Sequence, residues 1–155
     1  MKIHCLYDEI VPISVLLTLF HPKNRNNHPI SQIKRLGEIL EYQGVRYPVK
    51  ISRRSGKITS GHGRVLAADM KGWDSFPVNY QDYDDEVHEY SDLQADNAIA
   101  SWAELDLSGI HTDIGELGPF NLELLGMKDF KVDASEKPKK EKKPTQCPHC
   151  GEMIE

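Results

Sequence analysis

A short segment, Gly61-His62-Gly63-Arg64, combines the residue types that bind an anion. It follows a short predicted strand and precedes an apolar run that is typical of a short helix. Glycines let backbone N–H groups approach an anion closely, a helix N-terminus adds a favourable dipole, and an arginine can donate two parallel hydrogen bonds to a phosphate. The segment therefore predicts a phosphate site. A glycine turn before a helix is also a common plain connection, so both interpretations stay open at this point.

A polar segment over residues 21–29 precedes this site and can face it. It contains two prolines, three asparagines and no large aliphatic residue, so a loop is predicted. Asn24, Arg25 and the two asparagines that follow are hydrogen-bond donors without a role in a core. His62 beside Arg64 is a candidate catalytic pair, because a nuclease needs a general base or a metal near the phosphate that it attacks.

A second group of reactive side chains lies further along the chain, where Cys147-x-x-Cys150 is followed by Gly151. This spacing is typical of one half of a zinc ribbon, and tetrahedral zinc needs four ligands. Three arrangements stay open: a zinc ion shared between two chains, completion of the site by His4 and Cys5, or no metal. A redox role is disfavoured because redox pairs of this spacing open a helix after a strand, whereas this pair follows a lysine-rich stretch.

Charge is distributed unevenly along the chain. The net charge is −5, yet residues 21–64 contain ten Lys or Arg against two Glu, a local charge of +8. Residues 81–96 contain seven acids and no Lys or Arg. The two blocks could pair with each other or form ordinary solvated faces. Alternatively, the basic half meets phosphates while the acidic half faces solvent, a metal or a partner.

The composition predicts one soluble domain. The 155 residues, 39% of them hydrophobic, suffice for one modest core but not for two. The longest mostly apolar run, residues 10–20, has 11 residues, well short of the ~20 that span a bilayer. The first residues lack the basic and apolar regions of a signal peptide. We therefore expect a cytoplasmic protein whose three cysteines are reduced.

Hydrophobic periodicity predicts an α/β or α+β domain. The expected elements are a strand leading into a short helix over residues 10–19, a helix capped by Ser31 and ending near Gly44, strands over 45–51 and 57–59, a turn over 60–64, a short helix ending at Gly72, a strand over 73–80 and a helix over 87–102. We expect residues 1–127 to form this domain with a helical extension. Residues 128–145 are then a flexible lysine-rich linker, and residues 146–155 form the half zinc ribbon.

Three segments resemble the ParB/sulfiredoxin-like superfamily, in the same order and at matching spacing. Residues 21–28, before the helix that starts with Ser31-Gln32-Ile33, are similar to its first box. Residues 57–68, followed by Phe76-Pro77-Val78, are similar to its second box, I-x-x-G-H-x-R-x-x-A-A. Residues 94–100 are similar to the A-D-N-K-L-A segment of the branch associated with phage and plasmid DNA methyltransferases. Residues 9–117 thus resemble the ParB-like domain of that branch.

The resemblance implies a small mixed sheet with flanking helices and a pocket between the first and second boxes. Relatives bind CTP or ATP there, sometimes with hydrolysis, so the expected cofactor is a nucleoside triphosphate with Mg²⁺. Carried over by position, the candidate phosphate-binding residues are Asn24, Arg25, Gly61, His62, Gly63 and Arg64. The third segment adds Asp96 and Asn97 as a metal or ribose contact, although these two residues could equally cap a helix or form a turn.

Differences between this sequence and the motifs of the superfamily argue against three activities. Sulfiredoxins have a catalytic cysteine in the second box, whereas this chain has His62 and no cysteine nearby, which argues against sulfinic-acid reduction. Partition-type ParB proteins have a glutamate at the position of His62 and a helix-turn-helix domain after it. The chain is too short for that domain, which argues against centromere binding. It also contains no methyltransferase motif, so it is not expected to methylate DNA by itself.

The sequence therefore predicts a phage or mobile-element module that binds a nucleotide or DNA phosphate in a bacterial host cell. Its expected partner is a methyltransferase or another DNA-processing protein, and a homodimer is a candidate assembly. The alternative is a standalone nuclease, nucleotide hydrolase or kinase that uses the same pocket. A third interpretation, a structural interaction protein, predicts that no nucleotide binds.

Overall fold

The computed structural model describes residues 1–100, 106, 109–110, 112–113, 145–146 and 153–154. The order of its elements up to residue 100 is the one expected from the sequence. Their bounds are β1 Glu9–Pro12, α1 Ile13–Leu16, a short 3-10 helix Leu17–Leu19, α2 Ile30–Gln43, β2 Val49–Ser52, β3 Ile58–Ser60, α3 His62–Met70, β4 Ser75–Gln81 and α4 Glu86–Ala100.

The first four strands form one mixed sheet in the order β1-β4-β2-β3. The strand β4 pairs antiparallel with β1 and parallel with β2, so that Val78 lies opposite both Glu9 and Val49. Because parallel neighbours need a crossover connection, the chain passes through β3 and α3 between β2 and β4. The predicted small mixed sheet with flanking helices is confirmed. The junction between β3 and α3, which carries the glycine segment, lies within this crossover.

One face of the sheet carries the core. Alternation along the strands places Val49, Phe76 and Val78 on this face, and all three are fully buried. The helix α3 packs against β2, β4 and α2, and α2 buries Ile33 and Leu40 at helical spacing. The buried apolar residues of α3 are Val65, Ala67 and Ala68. The crossover helix is thus held on the sheet by small and β-branched side chains.

Gly44 ends α2 as the sequence predicted. Its φ is +75°, a value that L side chains rarely adopt, and its N–H donates to the carbonyl of Leu40 at 3.0 Å. A Cβ added at this position would lie 2.6 Å from Cδ2 of His4 and 2.9 Å from the carbonyl oxygen of Lys2. Glycine is therefore required both by the backbone conformation and by the close approach of the N-terminal segment.

Two of the predicted boundaries around α2 are wrong. The helix begins at Ile30, its N-cap is Pro29 and no side chain caps it, so Ser31 lies inside the first turn rather than at the cap. Proline with φ −59° already has a conformation that suits the entry to a helix. The strand predicted over 45–51 is shortened to Val49–Ser52, because Pro48 has no N–H for a ladder. Val45 forms an isolated bridge with Ile3 instead.

Three further expectations on local structure are also wrong. The turn predicted over 60–64 is mostly helix, because Gly61 takes the N-cap conformation and α3 begins at His62. The strand predicted over 57–59 is observed one residue later, at Ile58–Ser60. Asp96 and Asn97 lie in the interior of α4, so neither caps a helix nor forms a turn.

Two short strands, β5 Thr145–Gln146 and β6 Met153–Ile154, pair antiparallel near the end of the chain. Cys147 and Cys150 lie between them in sequence and outside the described residues. Of the linker predicted over 128–145, residues 128–144 also lie outside the described residues, and Thr145 belongs to β5. The division into domain, linker and half zinc ribbon stays a prediction. Over the described residues, no helix is long and apolar enough to cross a membrane.

Candidate phosphate site

The junction between β3 and α3 is built on Gly61. Its φ of +103° and ψ of 15° turn the chain from the strand into the helix, a conformation available to glycine without steric cost. A Cβ at Gly61 would lie 2.9 Å from Nη2 of Arg64 and 3.1 Å from Cγ2 of Val49. The first turn of α3 contains no acidic residue. Its N–H groups, including those of His62 and Gly63, therefore create a positive end suited to an anion.

A pocket of about 170 Å³ lies at this helix end. It brings together the glycine segment and the loop over residues 21–29, as predicted. Its lining residues are Asn24, Asn26, His28, Leu36, Thr59, Ser60, Gly61, His62, Gly63 and Arg64. The exposed Arg25 is not among them, and the side chains of Asp96 and Asn97 are not described.

Side-chain and backbone hydrogen bonds fix the shape of the loop. The N–H of Asn26 donates to Oδ1 of Asn24 at 3.1 Å, and the N–H of Asn24 donates to the carbonyl of His21 at 3.0 Å. His28 follows, with its Nδ1 3.1 Å from Oε1 of Gln32 on α2. A Cβ at Gly63 would lie 3.2 Å from Cε1 of His28, so the glycine lets the loop lie close against the first turn of α3.

Arg64 is held in place by the chain before β2. Its Nη2 donates to the carbonyl of Pro48 at 3.1 Å, which anchors the guanidinium beside the glycine junction. The side chain lines the phosphate pocket and also a second pocket, which Tyr47, Lys50 and Asn79 line as well. An anchored guanidinium needs less ordering when it binds an anion than a freely moving surface arginine would.

His62 lies under the loop rather than in open solvent. It is 5% exposed, it meets the ring of Phe20 edge to face at 5.0 Å between centroids, and its Nε2 accepts the N–H of His21 at 3.3 Å. Burial, followed by the charges of His28 and His21, lowers the pKa of His62 from 6.5 to about 4. The imidazole is therefore neutral near pH 7 and orients the loop through its hydrogen bond. Its role as a general base stays a prediction.

Glu89 of α4 contacts both the loop over residues 21–29 and the turn between β2 and β3. This carboxylate is 2% exposed. Ser55 donates its hydroxyl to Oε1, Nη1 of Arg54 lies 3.5 Å from Oε2, and Nε2 of His21 lies 3.5 Å from Oε1. One turn earlier on the same helix, Glu86 pairs with Lys23 of the loop. A single buried carboxylate thus joins three segments that are distant in sequence.

The interpretation that the two charge blocks pair with each other is correct for part of the molecule, and the interpretation that the basic block meets phosphates stays a prediction. Acidic residues of the second block pair with three cations of the basic block, Lys23, Arg53 and Arg54. Arg64 of the basic block lines the phosphate pocket instead. The basic stretch is therefore divided between holding α4 in place and facing the candidate ligand.

Leu36, Thr59 and Ser60 line the pocket but were not predicted to belong to it. Leu36 is one of the residues at helical spacing that the sequence assigned to the apolar face of α2. Thr59 and Ser60 directly precede the glycine segment, so their proximity could have been inferred from position alone. Nothing in the local sequence around Glu89 distinguishes it from its acidic neighbours or indicates that it is buried.

Within the described residues, no group of three or more His, Cys, Asp or Glu side chains is placed to hold a metal ion. Cys5, which completes the zinc site in one of the three open arrangements, is half-buried, and burial raises the pKa of its thiol. Because Cys147 and Cys150 lie outside those residues, the zinc hypothesis stays a prediction.

The fold of this chain is similar to that of a solved structure, the C-terminally truncated chromosome-partitioning protein ParB from Caulobacter crescentus, complexed with CTP-gamma-S. The TM-score is 0.55 with 19% identity, over 79% of this chain and 63% of that one. The fold is ParB-like. A curated relative, the ParB-like nuclease domain-containing protein YnaK of Escherichia coli (strain K12), is 42% identical over 55 residues, which is 36% of this chain.

The match spans 62% of the length of that relative, and no family model matches the chain. Sequence and fold therefore both place the chain near ParB-like proteins. The CTP-gamma-S in the ParB complex and the nuclease domain in the name of the curated relative support a proposed function for this chain.

Proposed function

We propose that the chain is a ParB-like module that binds the phosphates of a nucleotide or of DNA at the N-terminal end of α3. The observation that carries this proposal is the pocket in which Arg64 and the first turn of α3 face Asn24, Asn26 and His28. A volume of about 170 Å³ is below the roughly 300–1,000 Å³ of sites that enclose whole organic ligands. The pocket therefore suits phosphate groups, with the remainder of the ligand outside it. The ParB neighbour complexed with CTP-gamma-S supports a nucleotide.

Replacing Arg64 with alanine is expected to weaken the binding of nucleoside triphosphates about 10- to 100-fold, because a charge-assisted contact to phosphate is lost. Isothermal titration calorimetry with ATP, CTP and inorganic triphosphate measures this loss. The matched control is Arg53→Ala, which removes an arginine of the same basic block that is 55% exposed, pairs with Asp82 and does not line the phosphate pocket. Equal losses in the two variants would show that binding reflects general charge and would contradict the proposed pocket.

A second candidate function is hydrolysis of DNA or of a nucleoside triphosphate in the same pocket. The description of the curated relative as a ParB-like nuclease domain-containing protein favours it. If the chain is such an enzyme, purified protein with Mg²⁺ converts plasmid DNA or a nucleoside triphosphate, and both His62→Ala and Arg64→Ala abolish turnover. Turnover that survives both changes would place the reaction elsewhere.

We also propose that the module acts in DNA modification beside a methyltransferase of a phage or mobile element. Residues 94–100 support this, because they resemble the segment of the methyltransferase-associated branch. In the same proposal Asp96 and Asn97 contact the metal or the ribose, and Arg25 extends the positive rim of the phosphate pocket toward DNA. The Cys147 and Cys150 pair binds zinc, and metal analysis of the full chain beside a double Cys→Ser variant tests that part.

A further inference from the structure

The face of the sheet opposite the core carries a second pocket, of about 320 Å³. Lys50 on β2 lies opposite Ser60 on β3 and opposite Asn79 on β4, so these three polar residues form a row across three strands. Gln81 follows two residues later on the same face. Tyr47 and Arg64 also line this pocket. A row of polar side chains on a sheet face, beside an aromatic ring and cations, suits a polar ligand with a flat ring.

The second pocket adjoins the phosphate pocket. Ser60 and Arg64 line both of them. A ligand that places a phosphate against one side of Arg64 can therefore extend around this side chain into the second pocket. Because the phosphate pocket is small, a ligand larger than its phosphates extends out of it, and the second pocket adjoins it at Ser60 and Arg64.

The amide of Asn79 indicates which kind of hydrogen-bonding group a ligand of this pocket carries. Its Oδ1 is buried and accepts no hydrogen bond from the described residues. A buried acceptor without a donor costs free energy, which a ligand recovers when it donates a hydrogen bond. The terminal torsion of asparagine is soft, so the amide can turn toward a ligand in the pocket that it lines. The side chains of Lys50 and Gln81 add donors, and the ring of Tyr47, which is 71% exposed, is available for stacking.

We propose that the second pocket binds a nucleobase that carries an exocyclic amine, with Oδ1 of Asn79 accepting a hydrogen bond from that amine. Adenine and cytosine both combine such a donor with a neighbouring acceptor, to which Lys50 or Gln81 can donate. The proposal rests on the proposed function, because the phosphate attached to this nucleotide occupies the phosphate pocket. The nucleotide is either free or part of a DNA strand.

The decisive experiment compares nucleotides in which a carbonyl replaces the amine and the neighbouring ring nitrogen becomes a donor. CTP is paired with UTP and ATP with ITP, and inorganic triphosphate probes the phosphate pocket alone. The wild-type chain is expected to prefer the amine in at least one pair by about tenfold or more, because a buried polar group rejects a ligand that leaves it unpaired. In Asn79→Leu this preference falls several-fold, because only the contact of Lys50 or Gln81 to the neighbouring ring nitrogen remains, while the affinity for inorganic triphosphate is unchanged.

A second variant keeps the test independent of any effect on folding. Tyr47→Ala changes a side chain at the surface, and it is expected to weaken every nucleotide several-fold without weakening inorganic triphosphate. Short oligonucleotides of dC and dT form a further arm, in which a preference confined to the oligonucleotides assigns the base to a DNA strand. If the wild type prefers the amine and Asn79→Leu keeps the same preference, the proposal for the second pocket is wrong and the proposed phosphate site is unaffected. Failure of inorganic triphosphate and of every nucleotide to bind overturns the proposed function as well.

Discussion

Replacing Glu89 with alanine is expected to lower the free energy of unfolding by about 2–3 kcal/mol. Removing one partner of a buried ionic cluster costs about 3–5 kcal/mol when the remaining charge is left buried. The cost is smaller here because the Arg54 side chain is 41% exposed and can turn to solvent. His21 and the hydroxyl of Ser55 lose their acceptor. Denaturant unfolding followed by circular dichroism measures the change.

Glu86→Ala is the matched control for this prediction. Glu86 lies one turn earlier on α4, and its ion pair with Lys23 joins two side chains that are 61% and 52% exposed. Exposed pairs contribute little to stability because water solvates both charges in the unfolded and folded states. We expect the Glu86 variant to unfold close to the wild type. Comparable losses in the two variants would contradict the structural role assigned to Glu89.

Lowering the pH from 7 to 4 is expected to remove about 2–3 kcal/mol of stability through His62 alone. In the unfolded chain this imidazole binds a proton as the pH falls through 6.5, whereas in the folded chain its pKa is about 4. The unfolded state therefore holds more protons between these two values, and stability falls as the pH falls. Protonation also occupies the lone pair of Nε2 that accepts the N–H of His21. The hydrogen bond between His62 and the loop over residues 21–29 is then lost.

The His62→Gln variant isolates this contribution. Carboxylates titrate in the same range, so the informative quantity is the difference between wild type and variant at each pH. Glutamine keeps a hydrogen-bond acceptor but does not titrate, and the difference in unfolding free energy should shrink as the pH falls from 6.5 to 4. A difference that stays constant over this range would show that His62 takes up its proton equally in both states.

Most of the fold could be predicted because its elements have strong local signals. The apolar spacing of α2 and the turn residue Gly44 fix a helix and its end. The boundaries that failed were set by neighbours: Pro48 shortens β2, and the conformation of Gly61 starts α3 three residues before the predicted Val65. Capping by Ser31 was plausible locally, but Pro29 already has backbone angles that suit the entry to the helix.

The candidate site could be predicted only as far as its motifs extend. The glycine segment and Asn24 were found because their residue types reveal anion chemistry. Two features of the site depend on packing between strands and helices that are far apart in sequence. They are the burial of Glu89 and the oxygen of Asn79 that accepts no hydrogen bond from the part of the chain that the structure describes. An acidic residue among acidic neighbours, or an asparagine within a strand, gives no local indication of such an environment.

The pairing of β1 with β4 has a consequence for the order in which the molecule assembles. Glu9 lies opposite Val78, so this pairing closes a far longer loop than the hairpin of β2 and β3, and loop closure becomes less favourable with length. Residues 59–64, which form one wall of the phosphate pocket, can therefore become ordered early, because they are contiguous in sequence with the hairpin. Residues 24–28, which form the other wall, follow β1 in sequence and become ordered later. A phosphate held between both walls would bind only the completed molecule and slow its local opening, a protection that hydrogen exchange at residues 21–28 would register.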